Sequence, residues 1–75
     1  MNNAIVWGQK NCQYCDTATA VLKARGIEVE ERKVGEGQWT KQDLIAAVPT
    51  ARSVPQVFID GKYIGGYHDL VNILQ

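Results

Sequence analysis

The chain carries two cysteines, Cys12 and Cys15, with Gln13 and Tyr14 between them. Thiols at this spacing cycle between dithiol and disulfide, supply half of a tetrahedral zinc site, or form a structural cross-link. Zinc asks for four ligands, and the only other candidate is His68, the single histidine. A cross-link between residues so near in sequence closes a tiny loop and restricts the unfolded chain little. Redox exchange is the chemistry that suits the pair best. Around it run a short apolar segment, Ala4-Ile5-Val6-Trp7, a polar turn, Gly8-Gln9-Lys10-Asn11, and an amphipathic stretch as far as Arg25. This order reads as strand, loop, Cys-x-x-Cys, helix. The first cysteine then sits at the mouth of a helix, where free backbone N–H groups and the positive end of the dipole favour a thiolate. Cys12 is the expected nucleophile. Cys15 lies one turn on, on the same helical face, and is the expected resolving thiol. Lowering a thiol pKa from about 8.5 to about 5 takes roughly 5 kcal/mol, more than an exposed dipole supplies, so hydrogen bonds to the sulfur are required as well.

Seventy-five residues make one domain, 1–75, near the lower size at which a single apolar core holds a fold. Eight basic residues balance eight acidic ones, which leaves no basic field for nucleic acid and no acidic tail. No apolar run approaches a membrane span, and Met1-Asn2-Asn3 lacks the regions of a secretory signal. A soluble cytoplasmic monomer is expected, in a reducing compartment where the dithiol cycles.

The elements that must hold the pair follow from pattern. Ile5-Val6-Trp7 suits a buried central strand. The first helix is predicted over Gln13–Arg25, with Ala18, Val21 and Leu22 on one stripe and Gly26 as its stop. Residues Ile27 to Val34 alternate and then become charged, as an edge strand does. Thr40 and Asp43 form a capping box for a short second helix, and Trp39 is placed to clasp Leu44 as a hydrophobic staple, the alternative being an exposed partner-binding aromatic. Val54 to Ile59 and Lys62 to Gly65 flank Asp60-Gly61, a two-residue hairpin signal. Gly65-Gly66 bends the backbone into a third helix bearing Leu70, Ile73 and Leu74. Strand, helix and strand at the start form a right-handed parallel crossover, whereas the last two strands are antiparallel, so the sheet is mixed.

Together these elements resemble glutaredoxin, the small member of the thioredoxin-fold family. Three motifs carry the resemblance over nearly the whole chain: Cys12-Gln13-Tyr14-Cys15, Ser53-Val54-Pro55, and Ile64-Gly65-Gly66-Tyr67-His68-Asp69-Leu70. It implies an α/β, thioredoxin-like fold, a four-stranded mixed sheet of order 2-1-3-4 flanked by three helices. It also implies a glutathione-dependent disulfide oxidoreductase that takes glutathione as co-substrate, binds no cofactor tightly, and reduces protein disulfides and glutathione mixed disulfides. Ribonucleotide reductase is the first protein substrate it suggests. By the same resemblance Pro55 is cis and shapes the site, Val54 pairs with the cysteinyl part of glutathione, and Tyr14 covers the sulfurs. Gly66, Tyr67 and His68 offer backbone contacts to the γ-glutamyl end, and Asp69 its side chain.

The chain departs from the family's pattern at several positions. Gln13 stands where many members have proline. Lys10 is one residue closer to the dithiol than the usual lysine, whose place Gln9 takes; Lys10 and Arg52 are the candidates for the glycyl carboxylate. Tyr67 and His68 replace smaller polar residues. Two other readings stand beside the first: an electron donor for ribonucleotide reductase recharged by thioredoxin reductase, and a module in which two chains hold an iron–sulfur cluster through Cys12 and two glutathiones.

Overall fold

A computed structural model describes residues 2–75. The element order is β1 (Asn3–Gly8), α1 (Gln13–Ala24), β2 (Glu28–Lys33), α2 (Lys41–Ala47), β3 (Gln56–Ile59), β4 (Lys62–Gly65) and α3 (Tyr67–Leu74). The strands form one sheet of order β2-β1-β3-β4, with β1–β2 parallel and β1–β3 and β3–β4 antiparallel. This is the predicted mixed sheet.

β1 is central, so both of its faces find cover. Ala4 and Val6 join Ala18 and Leu22 of α1, Val57 and Ile59 of β3, and Leu70 and Leu74 of α3 in the core. Leu22 and Leu70 are fully buried, each contributing on the order of 2 kcal/mol by leaving water. Trp7 points to the other face. Its cross-strand neighbour Arg32 lays a guanidinium over both Trp7 and Trp39, 5.1 and 4.3 Å from the ring centroids, and the two indoles meet edge to face at 5.3 Å. Trp39 therefore has a structural role, with Trp7 and Arg32 as its ring partners.

Element ends differ from the sequence expectation by a residue or two, for local reasons. α1 closes in a Schellman motif: Ile27 N–H donates to Leu22 C=O at 3.1 Å and Gly26 N–H to Lys23 C=O at 3.0 Å, with Gly26 at φ 75°. Arg25 becomes the cap and Ile27 is withdrawn from β2. β3 starts at Gln56 rather than Val54, because Pro55 has no N–H for a ladder; the Val54–Pro55 bond is cis. Asp60 and Gly61 both have positive φ, 50° and 81°, as a type I′ hairpin turn demands. The Asp60 carboxylate also accepts from the backbone N–H groups of Asn2 and Asn3, at 3.0 and 3.2 Å, and so ties the hairpin to the start of β1.

Candidate active site

α1 begins at the dithiol. Cys12 is its N-cap in extended backbone (φ −109°, ψ 106°), and its Sγ accepts the Cys15 N–H at 3.2 Å. A side-chain oxygen normally fills that capping position. A sulfur there receives one of the helix's free donors directly, the kind of contact that the thiolate requires beyond the dipole. The two residues are joined as a disulfide, their Cα atoms 5.3 Å apart, with Cys12 half-buried and Cys15 only 5 % exposed. Incoming groups meet Cys12 first. Gly8, at the end of β1, lies behind the second sulfur: a Cβ built on it falls 3.1 Å from Cys15 Sγ.

The cis Val54–Pro55 bond and the start of α3 form one flank. A Cβ on Gly66 stands 3.6 Å from the Pro55 carbonyl, which puts the helix mouth against the proline loop. Gly66 N–H donates to Asp69 Oδ2 at 3.0 Å. This is half of a capping box, since glycine has no side chain to return the bond. Gly65, at φ 125°, leaves room for that carboxylate; a Cβ there would fall 2.7 Å from Asp69 Cγ. Above them, Tyr14 packs on Tyr67 and His68 with ring centroids 5.1 and 5.9 Å away.

A groove of about 860 Å³ forms the other flank. Its lining comes from separate segments: Gln9 and Cys12 from the β1–α1 turn, Val34 after β2, Lys41, Leu44 and Ile45 of α2, and residues 51–54. Hydrogen bonds fix two of these segments locally. Thr40 Oγ1 accepts the Asp43 N–H at 3.2 Å, Asp43 Oδ2 accepts the Thr40 N–H at 2.8 Å, and Val34 N–H donates to the Gly8 carbonyl at 2.8 Å.

Of the residues singled out from sequence, Cys12, Arg52 and Val54 meet in the groove, while Tyr14, Tyr67 and His68 meet on the opposite flank with Gly66 and Asp69 nearby. Lys10 is exposed and does not line the groove, where Gln9 stands instead. Lys41 and Ile45 were missed, and so was Gln56. That buried amide donates to the Ser53 carbonyl at 2.9 Å and accepts from the Tyr63 hydroxyl, bracing the proline loop against β4. The signal for Gln56 was a polar residue inside an otherwise apolar strand.

The glutaredoxin family model matches residues 4–64. The chain belongs to the glutaredoxin family. Glutaredoxin 3 of Escherichia coli K12 is 33 % identical over 70 residues, 93 % of this chain and 83 % of that protein. Among solved structures, reduced E. coli glutaredoxin superposes with a TM-score of 0.78 at 27 % identity, covering 96 % of this chain and 92 % of that one. A buckwheat glutaredoxin–glutathione complex gives 0.74 at 25 % identity, covering 92 % and 64 %. With its joined Cys12–Cys15 pair this glutaredoxin is of the dithiol type, a thiol–disulfide oxidoreductase. Among the described residues no helix is long and apolar enough to cross a membrane.

Proposed function

We propose that Cys12 and Cys15 carry electrons from glutathione to protein disulfides and glutathione mixed disulfides. The Cys12 thiolate attacks one sulfur of the substrate disulfide, a new S–S bond forms to Cys12, and the other substrate sulfur leaves as a thiolate that takes a proton. The Cys15 thiolate then attacks Cys12 Sγ, releasing the second substrate sulfur and leaving the Cys12–Cys15 disulfide. Two electrons have passed to the substrate. Two glutathiones restore the dithiol by the reverse pair of exchanges and leave as glutathione disulfide. For glutathione mixed disulfides, a second glutathione can replace Cys15 in the release step.

The observation that carries this reading is the asymmetry of the pair, Cys12 half-exposed and bonded by a helix N–H, Cys15 buried behind it. In this reading Val54 offers its backbone to the cysteinyl unit as an added strand would, with Pro55 shaping that edge. The mouth of α3, at Gly66, Tyr67 and His68, receives the γ-glutamyl carboxylate, and Asp69 its ammonium. Tyr14 covers the sulfurs. Arg52 takes the glycyl carboxylate, and Lys10 adds positive charge near the thiolate. The known complex of a buckwheat relative with glutathione supports the choice of co-substrate. The cytoplasm is the proposed setting, and ribonucleotide reductase the first protein disulfide to assay.

Trapping tests the reading: a Cys15→Ser variant exposed to glutathione disulfide is expected to gain one glutathione, located on Cys12 by mass spectrometry. Turnover with glutathione plus glutathione reductase, compared with thioredoxin reductase, decides the electron source. Activity with the latter alone overturns the choice.

A further inference from the structure

In the proposed pose the tripeptide runs from the mouth of α3, through Val54, towards Arg52. Only its cysteinyl-glycine half then reaches the α2 groove. That groove, at about 860 Å³, is near the upper size of small-molecule sites. Its lining includes three apolar residues, Val34, Leu44 and Ile45, and two cationic ones, Lys41 and Arg52. Ile45 keeps 37 % of its surface exposed, and among the described residues neither Lys41 nor Arg52 pairs with a carboxylate. Two uncompensated cations and three apolar residues lining one groove call for an occupant carrying a carboxylate and an apolar side chain close together. A tripeptide that ends in glycine supplies one carboxylate and no apolar group. A protein chain, which continues past its cysteine, supplies both.

We infer that the α2 groove reads the substrate protein on the C-terminal side of its target cysteine, selecting an extended segment with an acidic residue followed by an apolar one. The inference rests on the glutathione pose, because that pose sets the direction in which a chain crosses Val54. An extended chain advances about 3.3 Å per residue, so the second and third followers of a cysteine at Cys12 extend roughly 7 to 10 Å along the groove that Arg52, Lys41 and Ile45 line with Cys12. The same acidic and apolar residues placed before the cysteine would run the other way, towards the α3 flank and away from Lys41 and Ile45.

The test uses the reduced full chain and two peptides of identical composition, each with one cysteine linked by a disulfide to thionitrobenzoate. In one, the cysteine is followed by glycine, glutamate and leucine; in the other, the same three residues precede it. Cys12 attack on the peptide sulfur forms the mixed disulfide and releases thionitrobenzoate, the better leaving group, so absorbance reports the second-order rate. No glutathione is present, and the outcome is therefore separate from that of the trapping and reductase assays. The first peptide is expected to react on the order of tenfold faster at low salt, and the advantage to shrink as salt rises. In Lys41→Glu, and in Lys41→Glu combined with Ile45→Ser, the two rates should converge. Both positions are exposed, which keeps the fold out of the comparison. Equal rates for the two peptides in the unaltered protein overturn the inference, as does a preference that survives in both variants.

Discussion

The two flanks of Cys12 are built by different means. The α3 flank is made mostly of backbone: the cis-proline loop, the glycine pair, and a helix mouth whose cap N–H is held by Asp69. The α2 flank is lined by the side chains of Lys41, Ile45, Arg52, Val34 and Leu44, delivered by segments remote from one another in sequence. Backbone donors at fixed spacing suit one small ligand used in every cycle. Charges on flexible stems among apolar side chains suit partners that vary.

That contrast can be broken or sharpened, starting where both flanks converge. Cys12→Ser should reduce turnover to background with every disulfide, while Cys15→Ser should retain reduction of glutathione mixed disulfides in the coupled assay; equal losses would contradict the division of labour. Next comes Gly65→Ala. The added Cβ meets Asp69 and adopts a φ that glycine alone tolerates well, so a loss of about 1–3 kcal/mol by denaturant melting should accompany a raised KM for glutathione. On the other flank, Arg52→Glu should raise that KM by about tenfold, equivalent to ~1.4 kcal/mol, with little change in the unfolding midpoint, since Arg52 is exposed. Behind the dithiol, Gly8→Ala presses a methyl on Cys15, at a cost of about 1 kcal/mol or more. Reduction of protein disulfides, which the proposed mechanism routes through Cys15, should slow more than reduction of glutathione mixed disulfides.

The smallest effect lies far from both flanks. Hydrogen bonds from the backbone N–H groups of Asn2 and Asn3 hold the Asp60 carboxyl below its ordinary pKa. A group whose folded pKa is depressed contributes stability above its unfolded pKa, near 3.9, and loses it as pH falls through the lower folded value. Thermal unfolding of Asp60→Asn should therefore fall below the parent at pH 7, with the gap closing under acid. A gap constant with pH would show that the charge contributes nothing.

Much of the molecule was legible before any coordinate, wherever a physical rule acts locally. Cys-x-x-Cys at a helix start, Thr40 with Asp43, Gly26 after a helix, and Asp60-Gly61 each dictate the backbone within a few residues of themselves, and each appears as expected. The charged run of β2 marked an edge strand, and the sheet places it at an edge. Helix-start spacing pairs Trp39 with Leu44 as a staple, and folding adds ring partners that the spacing does not name, Trp7 on β1 and Arg32 on β2. Spacing along one segment cannot announce a neighbour that only sheet pairing brings near.

The same division separates what the sequence by itself determined from what only the tertiary structure decided. Residue order alone set the first cysteine's place at a helix mouth, the sheet's mixed direction and the glycine-built flank, because helix ends, turns and crossovers obey short-range sterics and hydrogen bonding. Folding decided that Gln9 and not Lys10 faces the groove, that Lys41 and Ile45 border it, and that Gln56 braces the proline loop. Those are facts about which distant side chains share a face once β1 is buried between its neighbours, and burial depends on the whole chain.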